Sequence, residues 1–569
     1  MKYNWDVISV ASKKNIIELA SKLKISSVLA NLLIDRGIDT VEDAIKFFNP
    51  NVKNEYSSDR LKDIDKAKNR VLQAYHNHEK VMIWGDYDVD GTTGTALLYR
   101  ILKPYFPNIS YYIPDRYSEG YGISMQGIDF AISTGINLII SVDTGIKNIQ
   151  EIVYAKDRGI DFIVLDHHTP SEELPPAVAV IDPKREDDLY PFKELTGCGV
   201  AFKFLQSLSE SLGIEQKFLY KHLDLLALSI AADIVPIVDE NRIYAYLGLK
   251  LLNTSPLVGI SALKEVIGLK NKELSISNLV FTLIPRLNAA GRIGHASQAV
   301  ELLISENFNK ALEIAKEINY LNQQRQHIQQ KIVNEIIQEF KEHPELKEKN
   351  STVLFNSHWH KGVIGIVASK VIDYFYKPTV ILTDSENDIA GSARSIADFD
   401  LYEAIEDCSH LLTKFGGHKY AAGLSLKPEN LNKFIDCFEN VVSARITDDM
   451  KKPKLKISGV LTINDINENL IKFFRKLEPY GPGNPKPIFV STDVKEVYIK
   501  KIGKDKNHLV LRYLDEQTGK IISAISFYNA DLYDKIFASR KYDIAYKIGE
   551  NEYNNVKYIQ LEIIDFRFK

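Results

Sequence analysis

The chain has 569 residues, of which 45% are hydrophobic and 26% charged, and its formal net charge is −4 at pH 7. That mixture excludes a disordered or collagenous chain, and the length calls for several hydrophobic cores rather than one. Cys198, Cys408 and Cys437 fit no disulfide framework or zinc knuckle, MKYNWDVISVASKKN lacks a signal-peptide core, and no stretch reaches the roughly 18 apolar residues of a spanning helix, so a cytoplasmic protein without a membrane partner is expected.

Residues 1–75 read as an N-terminal helical extension. From about residue 80 to 235, short β-branched runs alternate with helical stretches: VMIW, then TTGTALLYRILKPYF; ISYYIP; MQGIDFAISTG, then INLIISVD; NIQEIVYAKDRG, then IDFIVLD. Strands separated by amphipathic helices predict βαβ units on a parallel sheet. Residues 306–348 carry apolar positions at three- and four-residue spacing among Gln, Lys and Glu, which predicts a long connector helix ending at His343-Pro344. STVLFN, GVIGIVASKVIDYF and TVILTD then restart the α/β pattern. From Lys454 onward, short alternating runs such as LKISGVL, HLVLRYL and DIAYKI predict a small antiparallel barrel of the OB type, with turns at Gly503 to Asp505 and Glu516 to Gly519. The segment from Lys451 onward carries a charge of about +7 against about −11 for the rest, a weak pointer to a polyanion.

Acidic and imidazole groups recur at the tips of the apolar runs. They are Asp86, Asp88 and Asp90 in GDYDVDG, Asp143 in SVDTG, Asp166, His167 and His168 in LDHHTP, and Asp233 in AADIVP. Ligands of open α/β sheets sit outside the carboxyl ends of strands, so these motifs are expected to converge on one crevice. Hard divalent ions take oxygen ligands and Mn²⁺ also accepts imidazole, so the set suits two metal ions acting on a phosphodiester. Gly91 and Gly94 allow a tight turn and close backbone approach. GDYDVDG also opens like an EF-hand loop, but the twelfth position from Asp86 is Leu97 where that loop needs a bidentate Glu. Asp143 or Asp233 alone would pass as a turn residue; a carboxylate beside two imidazoles after FIVL is costly to place without a ligand.

GDYDVDG, SVDTG, LDHHTP and AADIVP, in this order, resemble the four motifs of the DHH phosphoesterase superfamily. HWHKGVIGIVASK, GSARSI and GGHKYAAG resemble its DHHA1 substrate-binding domain. With RLNAAGRIGHASQAV and LEPYGPGNPKPIF added, nearly the whole chain is similar to the single-strand-specific 5′-to-3′ DNA exonucleases of that superfamily. The resemblance implies an α/β protein: a DHH domain at 76–305, a connector at 306–348, a DHHA1 domain at 349–447 and an OB-like domain at 448–569. It implies that Asp88 and Asp143, helped by Asp86, hold one Mn²⁺ or Mg²⁺, and that Asp90, Asp143, His167 and Asp233 hold a second, with Asp143 bridging. His168 would face the scissile phosphate and Asp166 would orient an imidazole. Ser392, Arg394, Gly416, Gly417 and His418 would grip phosphates next to the cut, Arg292 would do likewise from the other domain, and Arg116, in the Tyr- and Gly-rich loop IPDRYSEGYG, would line a single-strand entrance. It further implies action on single-stranded DNA in repair and recombination, a monomeric state, and a single-strand-binding protein and a RecQ-type helicase as partners. Shorter phosphodiesterases of the superfamily, acting on oligonucleotides or cyclic dinucleotides, lack the C-terminal domain. A non-catalytic scaffold of the same build would have lost metal ligands.

Overall fold

The structure is a computed structural model that describes residues 2–8, 12–553 and 556–569. It forms two compact units, one of Met1–Val41, Gln326–Lys476 and Lys486–Lys569, the other of Glu42–Arg325 and Leu477–Pro485. The expected helical extension is thereby divided. It contains α-helices Lys13–Leu23, Ser27–Ile34, Val41–Phe48 and Ile64–His76, and also a short strand, β1 (Asn4–Val7). Among the described residues no helix is long and apolar enough to cross a membrane.

The unit containing residues 42–325 is built on five parallel strands, β2 (Val81–Gly85), β3 (Ser110–Tyr112), β4 (Leu138–Val142), β5 (Asp161–Leu165) and β6 (Ala179–Ile181), in the order β3-β2-β4-β5-β6. Their apolar runs are continuous because both faces are covered. Val81, Ile83, Leu138, Ile140, Ile163 and Leu165 face helices that include Val89–Leu102 and Gly197–Leu212, whereas Met82, Trp84, Ile139, Phe162 and Val164 pack on Met125–Thr134 and Ile149–Lys156. The register aligns Gly85 with Val142, Val142 with Leu165, and Leu165 with Ile181. Asp86, Asp143 and Asp166 therefore leave the sheet along one edge.

The predicted connector is a single helix, Phe308–Glu342. Its first half buries Ala311, Ile314, Ala315 and Ile318 in the core of residues 42–325, and its second half buries Ile332, Val333, Ile336 and Phe340 in another. One narrow apolar stripe thus serves two cores in succession.

In the other unit, β7 (Thr352–Phe355), β8 (Thr379–Ser385), β9 (Asp388–Arg394), β10 (Leu412–His418) and β11 (Ala421–Leu426) form a sheet in the order β10-β11-β9-β8-β7, parallel only between β7 and β8. β12 (Lys454–Ile457) pairs in parallel with β1. The C-terminal sheet holds β13 (Gly459–Val460), β14 (Ile488–Val494), β15 (Glu496–Ile502), β16 (His508–Leu514), β17 (Ile521–Ser526), β18 (Tyr542–Tyr553) and β19 (Val556–Phe568). The expected antiparallel pattern holds except for the pairs β13 with β14 and β17 with β19, which are parallel. A connection through helix Tyr533–Ala538 and β18 is long enough to return the chain in the same direction, which a tight hairpin cannot do.

Candidate active site

Each motif adopts the local structure its residues favour. After the buried β2, Asp88 caps helix Val89–Leu102 by accepting the Gly91 amide at 3.0 Å, so Asp90 lies inside the first turn. A Cβ on Gly91 would lie 2.5 Å from the Asp86 carbonyl oxygen, which is why only glycine serves there. Asp143 sits in the left-handed region at φ 62, stepping off β4, and its amide donates to the Leu165 carbonyl at 2.9 Å. Asp233 is the last residue of helix Leu223–Asp233, which stops because Ile234 turns left-handed at φ 58.

The side chains converge. His167 Nε2 lies 3.2 Å from Asp143 Oδ1, 3.6 Å from Asp90 Oδ2 and 3.7 Å from Asp233 Oδ2. Donor atoms lie within 4.8 Å of one another in three overlapping sets: Asp86, Asp88 and Asp143; Asp90, His167 and Asp233; Asp143, His167 and His168. Asp143 belongs to two of them. Burial, with mutual repulsion second, pushes the Asp86 and Asp143 carboxyls well above their ordinary range, raises Asp88, and lifts Asp233 to about 8. Carboxylates crowded this way are stabilised by divalent cations, and a donor set of oxygens plus one imidazole suits Mn²⁺ or Mg²⁺. Saturating Mn²⁺ is therefore expected to raise the melting temperature, by roughly 3–4 kcal/mol of stability at 100 to 1,000 times Kd, and chelation to reverse it in a thermal-shift titration.

Asp166 does not face that cluster. It accepts amides from Ile146 (3.0 Å), His167 (2.8 Å) and His168 (3.2 Å), and His168 Nδ1 at 2.7 Å. Burial opposes its charge, yet these bonds and the neighbouring imidazoles hold its pKa down to about 2. For His168 burial likewise disfavours the cation, but the Asp166 contact and the surrounding carboxylates win and push its pKa up to about 9. The His168 ring is thus held by Nδ1 with Nε2 directed outward, 3.4 Å from the Tyr121 hydroxyl.

Arg116 stacks 4.8 Å over the Tyr87 ring, next to Asp86, while Arg292 accepts the Tyr117 hydroxyl through its backbone carbonyl and its charge acts on Tyr87. Ser392, Arg394, Gly416, Gly417 and His418 come together in the other unit. β11 links them, because Gly423 pairs with both Gly416 and Ser392, and Ala421 with both His418 and Arg394. Arg394 Nη1 donates to Ser392 Oγ at 3.2 Å, beside Gly365 in the first turn of helix Ile364–Phe375.

Sequence reasoning missed the residues that hold Asp90. Its carboxylate accepts the Gly197 amide (2.6 Å), the Cys198 amide (2.9 Å) and Ser229 Oγ (2.6 Å). The available signal was TGCG at 196–199, in which Thr196 caps helix Gly197–Leu212 and leaves first-turn amides for an anion. Tyr121 was also missed, since a tyrosine in a glycine-rich loop carries no mark of its distance to a histidine 47 residues away.

Family models match residues 80–230 as the DHH family N-terminal domain, 348–444 as the DHHA1 domain and 457–565 as the RecJ OB domain. A single-stranded-DNA-specific exonuclease RecJ from Bacillus subtilis is 38% identical over 567 residues, which is 99% of this chain and 71% of that protein. One of the same name from Haemophilus influenzae is 34% identical, covering 90% of this chain and 92% of the relative. Among solved structures, Thermus thermophilus RecJ in complex with Mn²⁺ superimposes with a TM-score of 0.85 at 26% identity, over 100% of this chain and 80% of that one. Its complex with Mg²⁺ gives 0.78 at 25% identity, over 100% and 79%.

Proposed function

The chain belongs to the RecJ family of single-stranded-DNA-specific exonucleases, and from that premise we propose that it digests single strands from the 5′ end, releasing mononucleotides. The enzyme is a metal-dependent exonuclease that uses Mn²⁺ or Mg²⁺. In this reading Asp86, Asp88 and Asp143 hold one ion, and Asp90, Asp143, His167 and Asp233 the other. The observation that carries it is the convergence of these donor atoms at aligned strand ends, with Asp143 common to two of the sets. Bound divalent ions supply Lewis-acid charge that makes water a nucleophile near neutral pH.

The protein's own groups do the rest. Asp166 fixes the His168 ring through Nδ1, leaving Nε2 to donate to a phosphate oxygen as charge accumulates on it. Arg292 binds a backbone phosphate, and Arg116 lines the entrance for the single strand. The Ser392, Arg394, Gly416, Gly417 and His418 group holds a phosphate through guanidinium and backbone amides. The linear division into domains at 76–305, 306–348, 349–447 and 448–569 is supported by the three family-model ranges. Relatives that match nearly the full chain favour this function over the shorter oligonucleotide and cyclic-dinucleotide phosphodiesterases, and the complete donor set disfavours an inert scaffold. A cytoplasmic location, a monomeric state, and a single-strand-binding protein and a RecQ-type helicase as suppliers of substrate complete the reading, on the strength of the family resemblance.

A strand carrying a blocked 5′ end and a free 3′ end tests polarity directly. It should survive while a 5′-phosphorylated strand is reduced to mononucleotides, and rapid loss from the 3′ end would falsify the assigned direction. Arg394→Ala should raise KM for the phosphorylated strand by about 1.5–3 kcal/mol, the worth of a hydrogen bond to a charged group, and leave Mn²⁺ affinity unchanged. Steady-state kinetics beside metal titration separates the two.

A further inference from the structure

We propose that the loop Leu477–Pro485, which the sequence places in the C-terminal barrel, is a brace for Asp233 and sets the affinity of the site for its divalent ions. The loop packs within the same compact unit as the metal-ligand cluster. It lies on the segment that leaves Asp233: the Ile237 amide donates to the Pro482 carbonyl at 2.7 Å. Ile237 is fully buried, and a Cβ on Gly481 would come within 2.4 Å of its Cδ1. Gly483, at φ 72, would meet Val238 and Pro236 in the same way at 2.9 and 3.3 Å.

The loop itself is held rigidly. Arg242, nearly buried, donates through Nη1 to the Leu477 carbonyl (3.0 Å) and through Nη2 to the Glu478 carbonyl (2.9 Å), while its guanidinium stacks 3.6 Å from the Phe47 ring. Asn484 Nδ2 donates to the Leu477 and Pro479 carbonyls at 2.7 and 2.9 Å. From the other side Asn241 Nδ2 donates to the Pro236 carbonyl at 3.1 Å. Residues 236–238 are therefore held between the loop and Asn241 of the helix that follows, Asp239–Thr254. Asp233 is the terminal residue of its helix, and Ile234, exposed and left-handed, gives it no packing of its own. The position of its carboxyl thus depends on where the next few residues are fixed. Hydrogen-bonding partners of metal ligands typically change metal affinity by about 10-fold to 100-fold when lost, and a brace that acts through the few residues after Asp233 is expected at the lower end of that range.

This inference rests on the proposed metal site, and the experiment separates the two. Mn²⁺ binding to the full-length protein is measured by calorimetry, with melting temperature and the KM for a short oligonucleotide determined alongside. Gly481→Val should weaken Mn²⁺ binding by roughly 10-fold, raise the Mn²⁺ concentration for half-maximal activity in parallel, and leave the oligonucleotide KM at saturating Mn²⁺ unchanged. Gly481→Ala should give a smaller loss and guards against misfolding of the valine variant. The double variant Gly481→Val with Ile237→Ala, which removes the branch the new side chain strikes, should bind Mn²⁺ more tightly than Gly481→Val alone. Wild-type protein that binds no Mn²⁺ would overturn the metal site itself. Wild-type binding with unchanged affinity in both glycine variants, or a loss that the double variant does not relieve, would overturn the brace.

Discussion

Asp143→Ala is expected to abolish hydrolysis, with at least a 100-fold loss that excess Mn²⁺ does not restore, a conservative bound if, as proposed, it is a ligand shared by both ions. Its carboxylate shares donor sets with Asp86 and Asp88 on one side and with His167 and His168 on the other. A water molecule can replace a terminal ligand, but it does not hold two cations close together against their repulsion. The left-handed backbone at φ 62 shows how specifically the residue is used, since a non-glycine residue there is strained unless the surroundings compensate. Removing the side chain also removes one of several repelling buried carboxylates, so the metal-free variant should melt no lower than wild type. Activity on a 5′-labelled oligonucleotide, read with melting temperatures in chelator, checks both halves. Activity above about a hundredth of wild type at saturating metal would mean that Asp143 is not a shared ligand.

Gly197→Ala should be nearly as damaging although Gly197 offers no ligand atom. A Cβ there would lie 2.6 Å from the Asp143 Cβ and 2.8 Å from its Cα, a clash with backbone that no rotamer change relieves. The same residue's amide donates to Asp90 at 2.6 Å, so one displacement moves ligands of both sets. The expected result is a fall in kcat of about 100-fold with Mn²⁺ binding weakened, following the sensitivity of catalysis to displacements of about 1 Å. Gly199→Ala is the internal control. Its added carbon would meet Thr196 Oγ1 at 3.3 Å and no ligand, so its loss should be within a few-fold. Equal activity of the two variants would show that packing behind Asp143 does not position it.

Much of the site is legible in the sequence because strand ends are marked twice, by an apolar run that stops and by a polar residue with no reason to be there. VMIW before Asp86, LIISV before Asp143 and FIVL before Asp166 are such marks, and a parallel sheet must bring successive strand ends together. What supports the ligands left weaker traces. Gly197, Ser229 and Tyr121 belong to segments whose local patterns are those of an ordinary helix start, a buried helix and a loop.

The parallel sheet, the long helix and the C-terminal strands are legible in periodicity, and the acidic and imidazole groups that gather at the strand ends in side-chain chemistry, because both are local properties. Tertiary structure alone decided which neighbours buttress each ligand, that the helix Phe308–Glu342 serves two cores, and that Leu477–Pro485 packs with residues 42–325 rather than with the strands that flank it in sequence. Close backbone approach at Gly197 and Gly481, and the carbonyls gathered by Arg242, depend on residues far apart in the chain. Such contacts are fixed by the packing of whole elements, which no local pattern encodes.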